Sequence, residues 1–225
     1  MPVTFRDVEA AIRKSCLISR GGFHPGVDDA VPGDPGTLVL VGNVGPDMWA
    51  AFARDQASYA DRASPLDDWV RDRLTAIAVQ LGATPLFPFG GPPFLPFQRW
   101  AQKAEPVYSS PLGVLIHPDY GLWHAYRGAL AFREVVDLPV PDTRPSPCES
   151  CIEKPCLTTC PVGAFGDDGY DVPVCVDHLE SANGHDCMAL GCRARRACPV
   201  GTDHVYEPAQ AEFHMTAFRG AQRAG

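Results

Sequence analysis

Residues 148–164 read Cys148-Glu-Ser-Cys-Ile-Glu-Lys-Pro-Cys-Leu-Thr-Thr-Cys-Pro-Val-Gly-Ala164, a run with the spacing Cys148-x2-Cys151-x4-Cys156-x3-Cys160-Pro161. A second set follows as Cys175-x11-Cys187-x4-Cys192-x5-Cys198-Pro199. The two halves repeat one another: Cys151-x4-Cys156-x3-Cys160-Pro-Val-Gly163 answers Cys187-x4-Cys192-x5-Cys198-Pro-Val-Gly201. Eight of the nine cysteines therefore lie within 51 residues, and only Cys16 stands apart. That concentration rules out a disulfide scaffold spread evenly through the chain. It points to a small metal-binding module attached to a larger domain.

The spacing carries specific chemistry. Three cysteines in a tight loop can grip one cubane, while a fourth, three residues on and followed by proline, reaches toward a different cluster. By that logic Cys148, Cys151, Cys156 and Cys198 share one [4Fe-4S] cluster, and Cys160, Cys175, Cys187 and Cys192 share another. The compact first set is the more diagnostic; the x11 and x5 gaps of the second depart from it. Three other readings stay open: two four-cysteine zinc sites, one cluster beside a degenerate second site, and a disulfide framework. A zinc ribbon, however, does not call for Cys-x3-Cys-Pro. His178, His185 and His204 lie among the cysteines as either substitute ligands or surface residues. Arg193, Arg195 and Arg196 would either offset cluster charge or face solvent. Residues 148–206 hold nine acidic against four basic side chains, with Asp167, Asp168, Asp171, Asp177 and Asp186 among them. Such a surface suits a basic redox partner.

The whole chain narrows the setting. It has 225 residues and a net charge of −8, which speaks against a general nucleic-acid binder. With 21 glycines and 23 prolines it is loop-rich, yet 45% hydrophobic residues can supply a core. No apolar run reaches the roughly 20 residues of a membrane span. The first residues, Met1-Pro-Val-Thr-Phe-Arg-Asp-Val-Glu, lack a secretory pattern. The expected compartment is the cytoplasm, where thiols stay reduced and dense cysteines read as metal ligands. Cys16 reads as a buried apolar residue.

Before the cysteines the pattern is α+β. Residues 4–14 space Phe5, Val8 and Ile12 as an amphipathic helix. Thr37-Leu-Val-Leu-Val41 reads as a buried strand ended by Gly42-Asn-Val-Gly45, with a helix from Pro46 through Met48, Trp49 and Phe52. The G-x-x-G spacing has neither a dinucleotide fingerprint nor a P-loop lysine, so a plain strand-to-helix turn is the better account than a phosphate cradle. Ser64 is expected to cap a long helix carrying Leu66, Trp69, Val70, Leu74, Ile77, Ala78 and Leu81 to the core, ended by Gly82. Pro85–Pro96 reads as an apolar loop, and residues 110–136 as two strands around a turn. Four prolines between Leu138 and Pro147 form a stiff connector. The expected boundaries are 1–138 for an α+β domain, 139–147 for a Pro-rich linker, 148–206 for the cysteine module and 207–225 for a C-terminal helix.

The run from Cys148 to Ala164 resembles the bacterial-type ferredoxin motif, which implies two [4Fe-4S] clusters passing single electrons. Thr37–Val41, Pro46–Phe52 and Gly113-Val-Leu-Ile-His-Pro-Asp-Tyr-Gly-Leu-Trp-His-Ala-Tyr-Arg-Gly128 resemble the CblC-type cobalamin-processing proteins, which have a nitroreductase-like fold. Epoxyqueuosine reductase and reductive dehalogenases join a related corrinoid-binding domain to a two-cluster ferredoxin domain in this order. The resemblance implies a CblC-like N-terminal domain, clusters that deliver electrons to a cobalamin-type cofactor, and a cofactor-binding role for Arg127. If His124 and Tyr126 share one strand face, Arg127 shares the other with Trp123 and Ala125. No carboxylate matches the catalytic acid of the epoxyqueuosine reductases, so no catalytic residue is assigned. The expected partners are a redox protein or small-molecule reductant and a corrinoid. The alternatives are a ferredoxin-like carrier with neither corrinoid nor catalysis of its own, and a zinc-bound interaction module.

Overall fold

The computed structural model describes residues 3–166 and 169–223. Asp167 and Asp168, counted above among the acidic residues, lie outside the described residues. In chain order, α1 (Phe5–Lys14) leads to β1 (Ile18–Phe23), β2 (Thr37–Val44), α2 (Asp47–Asp55) and α3 (Pro65–Leu81). Then come β3 (Thr84–Leu86), α4 (Phe97–Ala104), β4 (Tyr108–Ser109), β5 (Leu115–Ile116) and β6 (His124–Phe132). The cysteine-bearing part holds α5 (Pro147–Ser150), α6 (Pro155–Thr158), β7 (Phe165–Gly166), β8 (Gly169–Tyr170) and α7 (Val172–Glu180). It continues through α8 (His185–Leu190), α9 (Arg193–Arg196) and α10 (Pro208–Arg223).

Two compact units emerge: Met1–Pro106 with His124–Arg144, and Val107–Trp123 with Pro145–Gly225. The chain passes from the first unit to the second between Arg144 and Pro145. Residues 107–123, by contrast, sit with the cysteines rather than with the N-terminal domain. The reason is apolar: Leu112, Ile116 and Leu122 share one buried core with Ala194 and Cys198. The C-terminal helix also belongs to that unit, since α10 packs along α8 and buries Gln210 and Ala211.

The first unit is built on an antiparallel sheet of order β1-β2-β6-β3. In β2 every residue from Thr37 to Asn43 is buried, because both sheet faces are covered. The strand runs past the expected end at Val41, since Gly42 and Asn43 pair with Tyr126 and Ala125. A Cβ on Gly42 would lie 2.1 Å from the Ala125 carbonyl oxygen, so only glycine permits that pairing. At the N-terminus, Thr4 and Asp7 exchange bonds as a capping box, and α1 buries Val8, Ala11 and Ile12.

Helix α3 buries Leu66, Trp69, Val70, Leu74, Ile77 and Ala78, while Leu81 is half-buried. Ser64 occupies the cap position, but its side chain makes no capping bond; Pro65 and the acidic first turn mark the start instead. Gly128 lets Leu74 approach β6, since a Cβ there would meet Leu74 Cδ2 at 2.4 Å. Part of the expected loop is strand: Thr84–Leu86 forms β3 against β6. After the proline-rich stretch 87–96, helix α4 buries Phe97, Trp100, Ala101 and Ala104. Each fully buried large apolar side chain such as Trp69 or Trp100 contributes roughly 1.5–3 kcal/mol.

Residues 110–136 do not form a hairpin with one another. β5 pairs with β4, and β6 pairs with β2 and β3. The turn between them is held by His117, whose Nδ1 accepts from the backbone N–H of Asp119 and Tyr120 at 3.0 and 3.3 Å. His117 is thus a turn residue. Cys16 is exposed rather than buried, with φ of +58° just beyond the end of α1.

Candidate metal centres and a buried polar cluster

All nine cysteines carry free thiols. Cys148 lies within the single turn of α5 and Cys151 caps its end; the Ser146 hydroxyl accepts from the Cys148 N–H at 3.3 Å. Cys156 is the second residue of α6, whose cap residue Lys154 takes a left-handed φ of +40°. Burial pushes the Cys148 thiol above its ordinary value, and negative charge on Cys198, Cys156 and Cys151 pushes it further. Burial also raises Cys156, with Cys198 and Cys151 adding to it. Cys198 is raised by burial and then by Cys151, against the Val200 N–H that bonds its sulfur. These four are electrostatic neighbours.

The other four form a separate neighbourhood. Burial raises Cys175; the Tyr170 hydroxyl bonds its sulfur and opposes the rise, while Cys160 and Cys187 reinforce it. Cys192 is raised by burial, against the N–H groups of Arg195 and Ala194, with Cys187 and Cys175 adding. One cavity is lined by Cys160, Cys175, Cys187 and Cys192 together with His178. Although Cys160 stands in the first motif, its neighbours belong to the second, and Cys198 shows the converse. Among the described residues, no three His, Cys, Asp or Glu side chains converge on a site for a single metal ion. The two groups are neighbourhoods of thiols rather than closed coordination spheres.

Local backbone explains the repeated Cys-Pro-Val-Gly. Gly163 and Gly201 have φ of +61° and +74°, which bends the chain back over the preceding cysteine. The Ala164 N–H, just past Gly163, then reaches Cys160 Sγ at 3.4 Å, whereas Cys198 is met by the N–H of Val200, just before Gly201. Amide donors of this kind stabilise thiolate charge.

The arginines between Cys192 and Cys198 are spoken for. Arg193 and Arg196 both pair with Asp186. Arg195 lies over the adjoining rings of Trp123 and Tyr206, at 4.5 and 4.6 Å, and donates to the Leu122 carbonyl at 2.6 Å. Of the three histidines, His178 is buried with its Nε2 at the protein interior, His185 starts α8 on the surface, and His204 packs edge-on against Tyr120.

The first unit holds a polar cluster that its sequence does not announce. Arg20 and Gly21 stand together opposite Leu40 in a β-bulge. The Arg20 side chain is buried, forks onto Glu105 at 2.6 and 3.1 Å, and lies 4.9 Å over the Tyr126 ring. The Tyr126 hydroxyl donates to Glu105, and burial holds that phenol well above its ordinary value against the pull of Arg20. Arg127 is itself the extra residue of a second bulge, between Tyr126 and Gly128. That breaks the simple two-face alternation expected for residues 123–127; His124 and Tyr126 still meet edge-to-face. Arg127 Nε donates to Asn43 Oδ1 at 2.9 Å, and Asn43 is buried. Burial raises the Asp67 carboxyl, with Arg127 pulling the other way.

No protein-family model matches the chain, and no curated protein matches its sequence. Solved structures do. A Caenorhabditis elegans B12-trafficking protein CblC, a homologue of human MMACHC, aligns with a TM-score of 0.58 at 16% identity, over 93% of this chain and 91% of that one. An epoxyqueuosine reductase bound to a tRNA-Tyr epoxyqueuosine-modified stem loop aligns at 0.53 and 14% identity, over 92% and 70%. The Streptococcus thermophilus epoxyqueuosine reductase aligns at 0.52 and 12%, over 92% and 69%. The likeness is one of fold: over most of its length the chain is an α+β protein resembling CblC and epoxyqueuosine reductase.

Proposed function

We propose that this chain is an iron–sulfur electron-transfer protein that holds two [4Fe-4S] clusters and serves a corrinoid. Cys148, Cys151, Cys156 and Cys198 would hold one cluster, and Cys160, Cys175, Cys187 and Cys192 the other. The observation that carries this reading is the exchange between the motifs: Cys160 and Cys198 each neighbour the other set's cysteines. The donor set fits the group, being four thiols per site with backbone N–H groups aimed at their sulfurs. When bound, such clusters supply one-electron transfer.

The chain's own residues do the rest. Thiolates bind; the left-handed turns at Gly163 and Gly201 orient Cys160 and Cys198; Leu179, Ala194 and Met215 line the second cavity and exclude water. Fold likeness to a B12-trafficking protein supports a corrinoid as the electron acceptor, with Arg127 as a binding residue braced by Asn43. The redox partner is a reductase protein or a small-molecule reductant in the cytoplasm. No helix among the described residues is long and apolar enough to cross a membrane.

The corrinoid part is tested by titrating the anaerobically purified chain with cob(II)alamin and following its visible and paramagnetic spectra. Saturable spectral change is expected. No binding at high micromolar cobalamin would leave a ferredoxin-like carrier.

A further inference from the structure

Resting on the two-cluster reading above, we propose that His178 is a positioning residue for the second cluster, donating a hydrogen bond from Nε2 to one of its sulfurs and making that cluster easier to reduce. His178 follows Cys175 by three residues on α7, so both project from one side of the helix. It lines the same cavity as Cys160, Cys175, Cys187 and Cys192. Only 9% of it is exposed, and Nε2 is buried with no hydrogen-bond partner among the described residues.

A buried ring nitrogen without a partner is costly and calls for an explanation. Its surroundings narrow the choice of partner. Pro161, Val162, Phe165, Leu179, Ala194 and Met215 line the cavity with apolar side chains, and besides His178 its remaining lining side chains are the four cysteines and Arg193. Sulfur accepts; a guanidinium does not. The residue is also held in place from behind, since Ser181 donates to its carbonyl through both N–H and Oγ, the latter at 2.8 Å. Gly184 closes over the same carbonyl, which a Cβ there would approach to 2.1 Å.

Tyr170 acts in the same sense. Its hydroxyl bonds the Cys175 sulfur, and its ring stacks on Phe165 at 4.6 Å between centroids. Donors aimed at cluster sulfurs favour the state carrying the extra electron, so each raises the reduction potential. The second set of cysteines is therefore met by two ring-borne donors.

The test is a redox titration of the anaerobically reconstituted full chain, followed by electron paramagnetic resonance, for wild type, H178L and H178Q. Iron and sulfide are counted in each. With both clusters loaded, H178L is expected to lower the equilibrium constant for reducing the second cluster about tenfold, a shift of about 59 mV for one electron. The first cluster should not move, and H178Q, which keeps an N–H, should stay nearer to wild type than to H178L. Histidine labelled with 15N should add a weak nuclear coupling to the reduced second cluster that H178L abolishes. Unchanged potentials in loaded H178L, equal shifts of both clusters, or an H178Q shift as large as that of H178L would overturn the proposal. If H178L fails to hold the second cluster, H178Q decides: retention near the wild-type potential with the nitrogen coupling supports the bond, and its loss or displacement refutes it. Wild type without iron would instead overturn the two-cluster reading itself.

Discussion

Gly201 rests directly on the backbone of Tyr120: a Cβ at Gly201 would stand 2.3 Å from the Tyr120 carbonyl oxygen. The contact is reciprocal, because a Cβ at Gly121 would meet the Val200 carbonyl oxygen at 1.9 Å. The turn made by residues 117–121 thus supports the loop that presents Cys198.

The two glycines of the repeated motif should therefore differ in tolerance. Gly163 has a left-handed φ but open space around it, so G163A is expected to cost about 1–2 kcal/mol. G201A adds a backbone collision to the same strain and should cost about 3 kcal/mol or more. Urea unfolding of both variants measures the gap; equal losses would contradict the packing described.

The Arg20–Glu105 pair is buried, so removing one partner should be severe. E105Q leaves a buried guanidinium facing a neutral amide, with an expected loss of about 3–5 kcal/mol. The exposed Arg71–Asp68 pair, at 3.8 Å on one helix face, is the control: D68N should change stability by less than about 1 kcal/mol. Denaturation midpoints of the two variants provide the comparison.

Asp29 gives a pH dependence with a definite sign. Lys103 and the Gly26 N–H hold its carboxyl below the ordinary 3.8. A depressed folded value means that its contribution is present above about pH 4 and is lost as pH falls through the folded value. Wild type should lose more stability than D29N between pH 5 and 3. Parallel urea midpoints for the two proteins across that range would count against the Lys103 contact.

Crossing of the motifs predicts an unusual pattern of cysteine variants. On the proposed assignment, C198S should remove the same cluster as C148S, and C160S the same cluster as C175S. Resonance spectra of the four variants sort them into pairs. Pairing of Cys160 with Cys148 would contradict the assignment.

Legibility in the sequence followed how local each signal was. Helices α1 and α3 and strand β2 could be read because their apolar periods are long. Helix α4 carries Phe97, Trp100, Ala101 and Ala104 at helical spacing, yet it is only eight residues long and follows a proline-rich loop that hides its start. Residues 112–132 look like one hairpin because both halves are apolar; which core each half joins is decided by partners far away in sequence. Arg20, Asn43, Glu105 and Tyr126 converge from separate elements, and Arg20 and the neighbouring Arg127 sit in bulges that no period reveals. Cys16 looked apolar by type, but a left-handed position just past a helix end exposes it.

Iron and acid-labile sulfide analysis of the anaerobically purified chain, read with its paramagnetic spectrum after reduction, tests the central claim most directly. About eight irons and eight sulfides per chain, with signals from two interacting [4Fe-4S] clusters, are expected. A colourless protein loaded with zinc, or one that holds no more than four irons after reconstitution, would contradict it.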